Sequence, residues 1–388
     1  IGEVPTRRSY PGRTTYGLSA EAARMAIQDA GLSKEDFAQK LGIKKVERVV
    51  EWEAGTSKPT FVQAQKIANA TNIPFGYLFL VNPPKEELPI PDLRTIGNKH
   101  RNEVSVEMRD IIKQVMYKQQ WYKEYLRQIG EEELPFVGRF TTKNTVYDVA
   151  QNIRGELGVP LPQKGSWEDY QRQLINAAEN SRILVMRSGI VGNNTRRKLE
   201  VSEFRGFAIS DKLAPVIFIN SSDAPAARLF TLIHELAHLW IGSSGVSDLG
   251  NEHAEEEKFC NAVAGEFLVP EKEFHEMWNP LVSLLNNVVA ISSRFHVSKL
   301  VVAKRAFDCK AIDSDTYREF YQREMKAFRH KKSSGGDFNI TAGARNSALF
   351  SSAVVAEAMS GRILLRDAGS LLGIQPNKIK TYTSKLAL

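Results

Sequence analysis

The chain has 388 residues, 42% of them hydrophobic and 25% charged, with two cysteines and a formal charge of +7 at pH 7. That is the composition of an ordered soluble chain long enough for two or three domains, and it excludes collagen-like, low-complexity and disulfide-stapled classes. No apolar run approaches a membrane span, no charged start leads into an apolar export segment, and Cys260 and Cys309 lack metal-type spacing, so a cytoplasmic protein with reduced thiols and no membrane partner is expected.

Residues 1–18 carry Arg, Pro and Gly without periodicity and read as a flexible arm. Over 19–82 the pattern turns helical, with five short helices at 22–31, 33–41, 44–54, 61–71 and 75–80. Ser33-Lys-Glu-Asp36 is a capping-box-like start, and Gly42 and Gly55 sit at turns. Gly31-Leu-Ser-Lys-Glu-Asp-Phe-Ala-Gln-Lys-Leu-Gly42 and Trp52-Glu-Ala-Gly55-x-x-x-Pro-Thr60 resemble an XRE-type helix-turn-helix domain. In that fold the second helix of the motif enters the major groove with its N-terminal residues on base edges, which implies Lys44, Lys45, Glu47 and Arg48 as the DNA-reading residues. Glu47, Glu51 and Glu53 offset the basic residues of the same segment, so phosphate attraction is weak and a protein partner competes with DNA as the ligand of this helix.

Residues 83–100 open with a Pro-rich linker, Asn82-Pro-Pro-Lys-Glu-Glu-Leu-Pro-Ile-Pro91, that places a domain boundary there. A long amphipathic helix over 103–129 follows, and its Tyr117, Trp121, Tyr122 and Tyr125 have the spacing of packing residues rather than of base-stacking ones. Helices are expected at 145–157 and 167–180. The period then changes: 183–186, 206–210 and 216–219 are short, rich in Val, Ile and Phe, and read as three strands of a small sheet. An edge of that sheet could hold a peptide in extended form. Residues 189–205, between the first two strands, read as a solvated loop, with a flap beside a cleft as the alternative.

Thr-Leu-Ile-His234-Glu235-Leu-Ala-His238-Leu-Trp240 lies in an apolar run that reads as a helix, with Asp223 as N-cap ahead of Pro225 and Gly242 and Gly245 ending it. Histidines four apart on a helix present both imidazoles to one point, which suits zinc, and Glu235 stands beside the open position as a general base for water. A third ligand is expected from the next helix, which ends at Pro270. Glu257 fits, because Asn261 one turn later can support a ligand from behind; His253 is the rival. Of Glu255, Glu256 and Glu257, two are expected to be a solvated acidic helix start.

Phe204-Arg-Gly-Phe-Ala-Ile-Ser, Pro215-Val-Ile-Phe-Ile-Asn220, Phe230-Thr-Leu-Ile-His-Glu-Leu-Ala-His238 and Glu257-x-x-Cys-Asn-x-x-Ala-x-x-Phe-Leu-Val-Pro270 resemble the ImmA/IrrE metallopeptidases. The resemblance implies His234, His238 and Glu257 as metal ligands, Glu235 as catalytic base, and a zincin-like domain over 101–330. Cys260 and Val263 depart from the Ala and Phe usual in that family, and both changes concern packing. Zn2+ is the expected metal, with Mn2+ or Fe2+ also compatible with a His/His/Glu set. An oxyanion-stabilising group is left open among His253, His275 and a Tyr.

Helices are expected at 281–294 and 297–308, with 291–305 carrying a helix, turn and Ser-capped helix; 331–341 form a second, basic linker, and 342–388 read as a helical, helix-turn-helix-like module. The fold expected is therefore α+β and mostly helical. The function implied is a zinc endopeptidase acting on a specific protein, a helix-turn-helix repressor or antitoxin-like regulator, in stress response or control of mobile elements. A DNA-binding regulator with a metal-sensing domain, and a toxin or antiphage protease, are the alternatives.

Overall fold

The computed structural model describes residues 33–71, 73, 75–80, 105–163, 165–246, 254–329 and 344–384, and within 21–32 Ala22, Arg24 and Ile27, all three helical. The expected arm, both linkers and His253 lie outside the described residues. The chain divides into two compact units, Ile1–Pro89 with Lys99–Asp110, and Ile90–Asn98 with Ile111–Leu388.

In the first unit, α1 (Lys34–Leu41) starts at Ser33, whose side chain accepts from the Asp36 N–H, and stops at Gly42, whose φ of 70° only glycine adopts at no cost. Helices α2 (Glu47–Glu53) and α3 (Phe61–Thr71) and a 3-10 turn at Phe75–Phe79 follow. Phe37, Leu41, Val49, Trp52, Ile67 and Leu78 are fully or nearly fully buried and form the core. Helix α2 starts three residues later than expected, so Lys44 and Lys45 lie in the turn before it rather than in its first turn.

In the second unit, α4 (Val106–Gln128) runs on from its first turn, and Gln119 donates to the Ala214 carbonyl at 2.8 Å while Lys123 pairs with Asp211. Three of its four aromatic residues pack as their spacing requires, Trp121 meeting Phe350 edge-on at 5.6 Å and stacking on Tyr125 at 5.8 Å with Tyr122 buried beside them, whereas Tyr117, expected to pack with them, is exposed. Helices α5 (Val146–Leu157) and α6 (Trp167–Asn180), capped by Thr145 and Ser166, lead to the sheet.

Strands β1 (Leu184–Ser188), β2 (Gly206–Ile209) and β3 (Val216–Asn220) lie in the order β1-β3-β2, β1 parallel and β2 antiparallel to β3, and two-residue β4 (Gly245–Val246) extends the β2 edge. Gly245 thus belongs to a strand, not to a helix stop. All five residues of β3 are buried, and Phe207 and Phe218 stack at 5.0 Å across the β2–β3 pair.

Helix α7 (Pro225–Ile241) packs on the sheet through a face on which Leu229, Leu232, Ile233, Leu236, Leu239 and Trp240 are buried. Its N-cap is Ala224; Asp223, expected there, lies one residue too early to reach the helix's free N–H groups and accepts instead from the Ala224 N–H at 2.7 Å. At the other end Gly242 (φ 73°) closes α7, Gly138 and Phe140 donate to the Leu239 and Trp240 carbonyls at 2.9 and 3.0 Å, and Trp240 stacks on Phe136.

Helices α8 (Ala254–Leu268), α9 (Glu271–Met277), α10 (Leu284–Phe295), α11 (Lys299–Asp308) and α12 (Ser314–Arg329) continue the core, with Cys260, Phe267, Phe274, Ile291 and Val302 buried in it. The last three helices, α13 (Ala348–Met359), α14 (Leu365–Leu372) and α15 (Ile379–Thr383), are held to the rest by Arg345, which donates to the Gly192 carbonyl and to Asn193, and by Lys118, which donates to Asn346. Among the described residues no helix is long and apolar enough to cross a membrane.

Candidate metal centre

His234 and His238 are one turn apart on α7, and their Nε2 atoms lie 3.1 Å from each other. Glu257, in the first turn of α8, faces both: one carboxylate oxygen is 3.2 Å from His234 Nε2 and the other 3.2 Å from His238 Nε2. Both imidazoles are buried and Glu257 is only partly exposed. Burial opposes ionisation of Glu257, but hydrogen bonds and attraction from the two imidazoles outweigh it and lower its pKa from 4.5 to about 2.

This donor set fits a divalent metal. Two imidazole nitrogens and one ionised carboxylate, on two packed helices, bring their ligand atoms within 4.8 Å of one another. The Nδ1 atoms of His234 and His238 are buried and have no hydrogen-bond partner among the described residues, and both rings pack among buried side chains. Phe230, with its ring 6.4 Å from that of His234 and nearly parallel to it, contributes to that packing.

Glu235 is fully buried. Its carboxylate lies against Gly206 at the start of β2: a Cβ built at 206 would stand 2.7 Å from Glu235 Oε1, 2.7 Å from Thr231 Cγ2 and 2.9 Å from the Phe218 carbonyl oxygen. The absent side chain of Gly206 is the space that the carboxylate uses. A cleft of about 100 Å³ opens beside the centre, lined by Val201, Phe204, Arg205, Phe230, Thr231, His234, Glu257 and Asn261 among others. Asn261, expected to support a ligand, is among the residues that line the cleft with His234 and Glu257.

Residues 201–205, read from sequence as solvated loop, form one side of this cleft, and Arg205 lies 3.5 Å from Asp223 at its rim. The alternative reading of 189–205, a segment beside a cleft, agrees with this placement; the role of Gly206 was not anticipated, and a glycine opening an apolar strand ahead of the His-Glu-x-x-His helix was the available signal. His275 is on α9, outside the residues lining the cleft, and no tyrosine is among those residues.

In the N-terminal unit Lys44, Lys45, Glu47 and Arg48 are all exposed. Glu53 pairs with Lys34 at 2.8 Å, which leaves Glu47 and Glu51 as the exposed acids beside Arg48.

Comparison with known families adds three matches. Residues 178–307 match the family described as IrrE N-terminal-like domain, residues 24–78 match a helix-turn-helix family, and residues 346–385 match a domain of unknown function, DUF8813. No curated protein matches the chain. The first match contains the sheet, α7, α8 and every residue of the metal centre. The third covers α13 to α15.

Proposed function

We propose that this chain, a helix-turn-helix domain joined to an IrrE-like peptidase domain, is a cytoplasmic zinc endopeptidase that cleaves one specific protein, a helix-turn-helix repressor or antitoxin-like regulator. The observation that carries the reading is Glu257, which faces both imidazoles of His234-Glu235-x-x-His238 from a second helix at 3.2 Å each. His234, His238 and Glu257 hold the metal, zinc being favoured by the two-imidazole, one-carboxylate set. When bound, the metal supplies Lewis acidity to the scissile carbonyl and to water.

The remaining steps belong to the chain itself. Glu235, pressed against Gly206 and shielded from solvent, takes the proton of the attacking water and passes it to the leaving amine. The wall at Val201–Arg205 and Phe230 limits what enters and keeps the peptide beside the imidazoles. Among the described residues β4 is the outer strand next to β2, and a substrate held extended along that edge would lie in one register. Recruitment falls to the N-terminal domain, on DNA shared with the repressor or by docking to the repressor itself, and the exposed Glu47 and Glu51 beside Arg48 favour docking.

The test is a mass-spectrometric survey of new protein N-termini in cells expressing the wild type or Glu235→Gln, untreated and after DNA damage or phage exposure. One or a few cleavages, confined to a repressor-like protein and absent with the variant, are expected. Many unrelated cleavages would replace this reading with a toxin-like protease. Identical N-termini in all conditions would overturn it in favour of a metal-binding regulator.

A further inference from the structure

Among the described residues a second group of ligand-type side chains converges, with no member in common with the first. Glu271 and His275 are four apart on α9, and Cys309 ends α11; a carboxylate oxygen, an imidazole nitrogen and a sulfur from these three lie within 4.8 Å of one another. We propose that Glu271, His275 and Cys309 form a second metal site, distinct from the His234, His238 and Glu257 centre, that takes a borderline divalent cation such as zinc or cobalt.

The donor set is the first argument. Sulfur, imidazole and carboxylate are the three side-chain donors that such cations accept, and three of them leave further positions to water on the exposed side. A carboxylate and an imidazole at i and i+4 stand over one another on a helix, so α9 alone sets two of the three donors. Here His275 Nε2 is 3.9 Å from Glu271 Oε1, close enough for one cation to bridge them.

Support behind the donors is the second argument. Arg305 is one turn before Cys309 on α11, and its guanidinium is 3.7 Å from Glu271 Oε2, the oxygen turned away from His275. The same guanidinium pairs with buried Glu266 and donates through Nε to the Val269 carbonyl at 2.9 Å. Glu266 in turn accepts from the Glu271 backbone N–H at 3.2 Å. One buried ion pair thus fixes the start of α9, the last turn of α11 and the direction of the Glu271 carboxylate, the outer support that protein metal sites provide. Coordination displaces the Cys309 thiol proton to solvent and ties α9 to α11.

Cobalt reports on this site alone, because the other centre has no sulfur donor. The full-length protein, stripped of metal, is titrated with Co2+ and followed for near-ultraviolet thiolate-to-cobalt charge transfer, with zinc stoichiometry measured in parallel. Two equivalents of zinc and a charge-transfer band are expected for the wild type. Cys309→Ser should lose the band and one equivalent, Cys260→Ser should keep both, and His275→Gln, an exposed change that leaves folding undisturbed, should weaken the second equivalent by roughly tenfold or more. A single equivalent without the band, a band that survives Cys309→Ser, or a second equivalent indifferent to His275→Gln would overturn the assignment. Loss of one equivalent in Glu257→Gln with the band intact would separate this site from the first.

Discussion

Gly206 and Glu235 are in contact through a missing methyl group: a Cβ at 206 would lie 2.7 Å from Glu235 Oε1, with backbone on its other side at the Phe218 carbonyl, 2.9 Å away. Neither strand nor helix can yield easily there, so Gly206→Ala displaces the Glu235 carboxylate. A shift of about 1 Å in a general base costs on the order of 10²-fold in turnover. Overpacking would remove about 1–3 kcal/mol of stability as well. Under the proposed mechanism, Gly206→Ala should bind zinc like the wild type and cleave its substrate about 100-fold more slowly. Wild-type turnover would mean that Glu235 is not the base.

How legible these features were in sequence depends on what each residue reports. The convergence of His234, His238 and Glu257 was legible because i,i+4 histidines on an apolar helix present both rings to one point, and the next helix offered a carboxylate with Asn261 one turn behind it. The three main strands were legible from Val, Ile and Phe runs, but β4 has only two residues and carries no period. Helices α9 and α12 were not anticipated: α9 is short, with Phe274 as its one buried residue, and α12 is polar apart from one stripe that includes Tyr317 and Phe320. Sequence alone could not decide between solvated loop and cleft-side segment for Val201–Arg205, because position over a cleft is a property of the fold, not of a local pattern.

The end of α7 behind His238 is equally intolerant. Gly242 has φ 73°, and a Cβ there would meet Gly138 Cα at 3.0 Å. Its N–H and that of Ser243 take up the Leu239 and His238 carbonyls at 3.1 and 3.0 Å. Gly242→Ala therefore combines an unfavourable backbone conformation with a backbone clash, and about 1–3 kcal/mol of destabilisation is expected. Denaturant melts of the metal-free protein measure this. A loss below about 0.5 kcal/mol would show that the Gly138 segment moves aside freely.

Lys118 gives the attachment of the last three helices a pH dependence. Its ammonium donates to Asn346 Oδ1 at 2.7 Å, and burial together with the Arg345 charge lowers its pKa from 10.5 to about 8. Between those values the unfolded chain binds the proton that the folded chain has released, so stability rises with pH from about 8 toward 10.5. Below pH 8 both states are protonated and the cost of the buried charge is present in full, on the order of 3 kcal/mol. Melts at pH 7 and pH 10 compared with Lys118→Met isolate the effect. The wild type should gain on the variant as pH rises; a constant difference would mean that Lys118 titrates as it does in water.

Glu235 and Glu257 are both carboxylates beside the same imidazoles, and amide substitutions separate their roles. The Glu257 pKa of about 2 keeps it ionised across the neutral range, so Glu257→Gln removes a full charge that both Nε2 atoms face at 3.2 Å. Replacing partners outside the ligand set costs metal sites about 10–100-fold in affinity, so the loss of a ligand should exceed that range. Glu235→Gln should leave zinc affinity close to wild type and lower kcat by about 10²–10⁴-fold, the contribution of a positioned general base. Zinc is counted in a Cys309→Ser background, so that only the His234 and His238 centre contributes. If Glu257→Gln retained zinc, the third ligand would lie elsewhere in the chain. If Glu235→Gln retained cleavage, another group would move the proton and the cleft, not the helix, would be the place to look for it.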